Sequence, residues 1–347
     1  MKVRLAAHRA PGFAERWIEG SHPEDVAVSG IDGYRSGIVS ELGSFDAVAW
    51  QLSQDRSLDL TVGRQVLAAA EMMGLTVFPN HATRCHFDDK IAQKYILEAT
   101  GAPLAKTWVF FTRDDARAFL RSASFPLVFK LRRGAGSMNV HLLRDRVEGE
   151  KVARKAFSGG FRPFPVIDRL SRAGARFASS GPRKVGFGGR ARRALRVILE
   201  QTFRVPRERG YLLLQEFIPG NVKDTRVTII GDRRFCFFRG VRDGDFRASG
   251  SGRISYPDRD EIPADMIEIA AGISDRLGFQ SMAYDFVREP ATGRAVLLEM
   301  SFTFNAEAVF RCPGYLHRDG SWRTPAPWPQ DAILEDLVAA TRARFAR

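Results

Sequence analysis

Residues 125–143, FPLVFKLRRGAGSMNVHLL, read as an apolar strand that ends on Lys130, a short glycine turn and a second strand. A strand turns successive side chains to opposite faces, so a run that is apolar throughout needs cover on both sides. The turn Arg132-Arg133-Gly134-Ala135-Gly136-Ser137 offers backbone amides free to converge on an anion. With Lys130 on the strand beneath, the stretch reads as a phosphate cradle; its bland alternative is a surface lysine ahead of an ordinary hairpin. The lysine precedes the glycines and GxxxxGK[ST] is absent, so this is not a P-loop. GFGGRA (186–191) matches a dinucleotide fingerprint in letters only, because no strand leads into it.

The remaining pattern alternates strands and helices. FDAVAWQL (45–52) reads as a strand, 61–74 as a helix stopped by Gly74, and LTVFPN (75–80) as a strand stopped by Pro79. Helix followed by strand predicts a parallel sheet, hence a small α/β unit over residues 1–88. Residues 88–101 form a helix with Asp88 and Asp89 at its start and Gly101 at its end. TWVFFT is a strand and RDDARAFLRSA a helix. After Gly210 the chain turns to strands: YLLLQEFI, DTRVTIIG, RRFCFFRGV, SMAYDFV and AVLLEMSF, with helices over 264–278 and 330–345. The fold class is α/β, built as α+β lobes.

Two carboxylates stand out in this apolar setting. Asp285 in AYDFV and Glu299 in LLEMS sit on strands joined by the turn REPATGR. Antiparallel pairing brings them together, and two carboxylates side by side call for a cation between them. Mg²⁺ suits such a pair, since it takes one or two carboxylates and fills its other positions with phosphate oxygens and water. A glycosidase acid/base pair is the competing reading, and it leaves Lys130 without a task. Upstream, Gln215-Glu216-Phe217-Ile218 ends a strand whose backbone can read a base edge, and Asp224 can hold ribose hydroxyls. Arg226, Arg239, Arg242 and Arg247 are candidates to clamp phosphate or carboxylate.

The formal charge of +13 is concentrated. Between Lys151 and Arg209, 3 Lys and 13 Arg stand against Asp168, Glu200 and Glu208, a surplus equal to that of the whole chain. The base therefore belongs to one inserted segment, with an amphipathic helix expected over 190–203. Arg132 and Arg133 extend that basic face from the glycine turn. The segment reads as a capture surface for an acidic substrate or as a solvated loop; charge alone does not choose the anion. Cys85, Cys236 and Cys312 are odd in number and far apart, which argues against a disulfide framework. His81, Cys85 and His86 crowd one loop, but their spacing fits no common zinc pattern. With no signal-peptide core and no run of 18 apolar residues, a cytoplasmic protein without a transmembrane segment is expected.

The motif order resembles the ATP-grasp superfamily: DDK, the strand-borne lysine with its glycine loop, QEFI, DTRV, DFRAS, then Asp285 and Glu299. It is most similar to the branch with the ribosomal-protein glutamate ligases. HFDDK, DFRASGSG and CPGY are similar to bacterial ATP-grasp proteins associated with cell-surface polysaccharide genes. The likeness covers nearly the whole chain. It implies a pre-ATP-grasp domain (1–88), a central lobe (89–210) carrying the glycine loop and the insertion (about 151–209), and a C-terminal lobe (211–347).

Carried residue by residue, the resemblance implies ATP and Mg²⁺ as cofactors. Lys90, Lys130, Gly134, Gly136 and Ser137 would meet the phosphates. Gln215, Glu216, Phe217 and Ile218 would form the adenine hinge, with Asp224 on the ribose. Arg226, Arg239 and Arg247 would face the transferred phosphate. Asp285 and Glu299 would bind the metal. The superfamily often follows its metal-binding Glu with x-Asn; here Met300 and Ser301 follow, so Asn305 or a water would complete the shell. The implied reaction is ADP-forming ligation of a carboxylate, small or sugar-linked, to an amine through an acyl phosphate. An ATP-grasp phosphotransferase and a non-catalytic module binding ATP with glycan or RNA stand as alternatives. Nucleic acid is not the first choice of partner.

Overall fold

The computed structural model describes residues 2–10, 12–54, 56–134, 139–162 and 206–346. Gly136, Ser137, the GFGGRA stretch and the helix expected over 190–203 lie outside these residues, as does most of the basic insertion.

The chain begins as expected of an α/β unit. Strands β1 (Val3–His8), β2 (Val26–Ile31), β3 (Ala47–Ala49) and β4 (Thr76–Phe78) form a parallel sheet in the order β2-β1-β3-β4. Helix Arg64–Met72 precedes β4, and Gly74 takes the left-handed conformation (φ 82°) that ends it. Helix Lys90–Ala99 begins two residues later than the sequence suggests. Asp89 is its N-cap, its side chain accepting from the N–H groups of Ile91 and Ala92, and Asp88 stands outside.

A second sheet combines β5 (Thr107–Phe110), β6 (Leu127–Lys130), β7 (Val140–Leu143) and β8 (Leu212–Glu216) in the order β5-β8-β6-β7. The two strands read in 125–143 are present: β6 and β7 pair antiparallel, with Lys130 opposite Val140. Helices Arg113–Ser122 and Arg146–Ala156 cover this sheet with a core of its own, including Leu120, Phe129, Ala153 and Leu214. The basic segment assigned from Lys151 therefore begins inside a packed helix.

The third sheet holds β9 (Lys223–Ile230), β10 (Arg233–Gly240), β11 (Ile254–Ser255), β12 (Ser281–Arg288), β13 (Ala295–Ser301), β14 (Tyr315–His317) and β15 (Trp322–Arg323). Its order is β13-β12-β9-β10-β14-β15, with β11 on β10. The face bearing Val227, Ile229, Met282, Tyr284 and Phe286 packs in one core with Leu67, Val77 and Ala270, drawn from the first domain and helix Ala264–Leu277. The other face is divided. One half, with Ile230, Phe235 and Phe237, packs with Leu5, Ala47, Ile333 and Leu337, the last two on helix Pro329–Phe345. The other half carries charge and faces a cleft. That division explains why these strands read as apolar runs with charges only toward one end. The first and third sheets thus share two cores, while the second keeps a separate one. Among the described residues no helix is long and apolar enough to cross a membrane.

Candidate functional site

A cleft with about 930 Å³ of empty space, part of it open to solvent, lies between the second and third sheets. Its size suits a nucleotide-scale ligand. Lys130, on β6, is buried within it, and among the described residues its ammonium has no hydrogen-bond or ion-pair partner. Burial pushes the Lys130 pKa down, opposed by Glu299 and Asp285 and assisted by Lys90.

The facing wall is a row of charges set by strand register. Asp285 on β12 stands opposite Glu299 on β13 and opposite Arg226 on β9. Two residues away on β9, Asp224 stands opposite Arg239 on β10. Period-two alternation puts these five on one face. Arg226 donates from Nε and Nη2 to the two oxygens of Asp285 (2.7 and 2.8 Å). Arg239 donates likewise to Asp224 (2.7 and 2.6 Å), and its Nη2 lies 2.7 Å from Asp285 Oδ2. Burial pushes Asp224 up to about 6, more than Arg239 pulls it down. For Asp285 burial also raises the pKa, but Arg226 and Arg239 together outweigh it and hold the carboxyl well below the usual range.

Glu299 reaches the cleft through a bulge. Asp285 pairs with Glu299 but Phe286 pairs with Leu297, so Leu298 is an extra residue, and both Leu298 and Glu299 line the cleft. Two carboxylates on adjacent strands are hard donors of the kind Mg²⁺ accepts alongside phosphate oxygens. The donor set fits a cation that takes two protein ligands; among the described residues no cluster of three or more His, Cys, Asp or Glu forms a fuller shell. A cation there would share Asp285 with two guanidiniums.

At the hinge, Gln215 donates to the Leu298 carbonyl (3.1 Å) and to Thr107 Oγ1 (3.0 Å). The Glu216 carboxylate accepts the Lys106 N–H at 2.7 Å. Phe217 and Ile218 then line the cleft with Val128, Val140 and Val287, which give it apolar wall beside the charged groups. Lys90 lines the charged end; its Nζ donates to the Gly134 carbonyl at 2.6 Å and lies 3.9 Å from Glu299 Oε2. Arg247 also lines it, with Nε and Nη2 on Asp245 (2.8 and 2.6 Å).

Most sequence-predicted residues among those described line the cleft; Arg242 does not, and its Nη2 donates to the Ser249 carbonyl at 3.1 Å. Arg226 gives both donors to Asp285 and does not line the cleft. Asn305 is the N-cap of helix Ala306–Phe310: its side-chain oxygen accepts from Glu307 N (3.0 Å) and Ala308 N (3.3 Å), so it is not a cleft ligand. The Ser301 hydroxyl likewise turns to the Thr303 carbonyl (2.9 Å). Arg132 and Arg133, expected to extend the basic face, each bring Nε to 3.5 Å from the buried Glu208 carboxylate. The crowded His81, Cys85 and His86 hold no metal geometry; His81 opens a short helix capped by Asn80 and His86 is buried. Sequence reading passed over Asp245, which orients Arg247, although its place two residues before Arg247 was the available signal.

This arrangement of sheets and cleft is known from solved structures. A RimK-domain ATP-grasp protein from Sphaerobacter thermophilus matches with a TM-score of 0.56 at 16% identity, over 97% of this chain and 100% of that one. The D-alanine–D-alanine ligase of Bacillus anthracis, solved with ATP, matches at 0.55 and 12% identity over 99% of each chain. The ATP-grasp ligase PsnB, solved with its minimal precursor, Mg and ADP, matches at 0.55 and 13% over 97% of this chain and 98% of that one. The chain has the ATP-grasp fold. No protein-family model and no curated protein sequence matches it.

Proposed function

We propose that this ATP-grasp protein is an ATP- and Mg²⁺-dependent ligase that joins a carboxylate to an amine, releasing ADP and phosphate. The observation that carries this reading is the meeting of the buried Lys130, which has no partner among the described residues, with the Asp285–Glu299 pair in one cleft that apolar side chains also line. An apolar slot beside the Glu216-Phe217-Ile218 backbone suits a purine, and the charged end suits a polyphosphate. Asp285 and Glu299 would hold Mg²⁺, which when bound offsets phosphate charge.

The chain's own groups do the rest. Lys130, without a partner among the described residues, gains one when an anion enters, so its attraction is spent on ligand. Lys90, with three donors, keeps the Gly134 carbonyl and still offers N–H to phosphate. Arg239 spends Nε and Nη2 on Asp224 and Asp285, which fixes its plane and leaves Nη1 for charge that develops on the transferred group. Arg226 acts one step back by holding Asp285. Arg247, oriented by Asp245, stands where a substrate carboxylate or acyl phosphate would arrive. No protein nucleophile is needed, because positioning and charge neutralisation suffice for attack of a carboxylate on the terminal phosphate and of an amine on the acyl phosphate. An acidic, sugar-linked carboxylate is the narrower substrate expectation, motivated by the charge of the insertion.

A screen of carboxylate and amine pairs read out by ADP release tests this. A productive pair should yield ADP and phosphate and an acyl intermediate that hydroxylamine traps. Formation of AMP and pyrophosphate, or of a stable phosphorylated acceptor, would replace ligation with another reaction. Chelation of Mg²⁺ should stop turnover.

A further inference from the structure

Asp88 is left without a task by the site as described, yet its geometry is unusual. It precedes the helix that Asp89 caps, and its backbone is left-handed (φ 53°), a region that L residues other than Asn and Asp seldom enter. Its carboxylate turns inward. Oδ1 accepts the Gly134 N–H at 2.8 Å, while Oδ2 is buried without a hydrogen-bond partner among the described residues. An aspartate takes this backbone readily, but a buried carboxylate oxygen lacking a donor is rare and calls for an account.

What it holds is informative. Gly134 is the residue at which the turn leaves Arg133, and its φ of 112° is open to glycine. Its N–H goes to Asp88 and its carbonyl accepts from Lys90 Nζ at 2.6 Å. Lys90 N–H in turn donates to the Arg132 carbonyl at 3.0 Å. Asp88 and Lys90 therefore grip the root of the turn from both sides. A lysine alone is a point charge on a flexible stem and fixes no direction. The Asp88 bond fixes it.

We infer that Asp88 is a positioning residue for nucleotide binding: with Lys90 it grips both backbone polar groups of Gly134, setting the phosphate-facing ammonium and the start of the glycine turn as one unit. The inference rests on the reading of the cleft as an ATP site.

The test measures Mg·ATP dissociation constants by calorimetry, with thermal denaturation alongside, on the full chain and on Asp88→Ala, Asp88→Asn, Lys90→Ala and the double variant Asp88→Ala/Lys90→Ala. Asp88→Ala should weaken binding about tenfold, the scale of a lost charge-assisted hydrogen bond. Asp88→Asn keeps an acceptor for the Gly134 N–H and should stay within about threefold of wild type. The double variant should bind within about twofold of Lys90→Ala alone, because the grip is already broken. Wild-type affinity in Asp88→Ala with only a lowered melting temperature, equal losses in the Asn and Ala variants, or additive losses in the double variant would each overturn it. A wild-type chain that fails to bind Mg·ATP removes the reading of the cleft and this inference with it. A wild-type chain that binds, beside an unaffected Asp88→Ala, removes the inference alone.

Discussion

The two walls of the cleft treat charge in opposite ways. On the third sheet the buried Asp224, Arg239 and Asp285 and the half-buried Arg226 alternate in sign and bond one another. On the second sheet Lys130 is buried with no partner among the described residues. The first wall is self-sufficient and keeps its shape empty. The second holds a charge that its own surroundings leave unmet, which costs stability until a ligand supplies the anion. A template faces an appetite, and the appetite belongs to the smaller lobe with its separate core.

The largest effect should come from opening the template. Asp285→Asn leaves two guanidiniums short of a carboxylate and should lower unfolding stability by about 3 kcal/mol while abolishing Mg²⁺-dependent ATP turnover. Urea melts and ADP release check both. Retained turnover there, or in Glu299→Gln, would remove these carboxylates from the site. Lys130→Met should separate the walls more sharply. Turnover should fall by about 100-fold, while the melting temperature stays level or rises, because a buried unpaired ammonium is gone. A marked drop in melting temperature would show that the second wall is as self-paired as the first.

A subtler test concerns the weakest member of the template. Asp224 is pushed up to about 6 by burial despite Arg239. A carboxyl whose folded value exceeds its unfolded one, about 4, favours the folded state when protonated, and that contribution is lost as pH rises from about 4 to about 6. The stability deficit of Asp224→Asn relative to wild type should therefore shrink across this window; a constant deficit would mean that Arg239 cancels burial, and a deficit that grows with pH that Arg239 wins. The smallest effect belongs to the rim, where Arg253 and Asp243 form an exposed pair. Arg253→Ala should leave melting temperature and turnover unchanged within error.

The sheet that carries the charges was legible because its strands are long and apolar, and the turn REPATGR fixed the partner of each. The Asp285–Glu299 pairing followed from that. Who bonds whom along the row was not legible, since it depends on cross-strand register and on a single extra residue at Leu298. Asn305 shows a second limit. An asparagine serves equally as a ligand or as a helix cap, and the backbone beyond it, invisible in the spacing, chose the cap. Asp88 shows a third: beside a good capping residue it looked like part of the same helix start, and only its left-handed backbone turned it toward Gly134. Short strands such as β11 and β15 left no periodic trace, because two residues cannot alternate enough to be seen.

The contact between helix Pro329–Phe345 and the first sheet has a consequence for how the protein is made. Trp17 Nε1 donates to the Gln330 carbonyl at 2.8 Å across 313 residues of chain, in a core that Ile333 and Leu337 share with Leu5 and Ala47. A ribosome adding about 5–20 residues per second leaves that sheet's apolar face open for tens of seconds before its cover emerges. The first domain is thus the part of this protein most in need of a chaperone during synthesis, although in the finished molecule it is among the best covered.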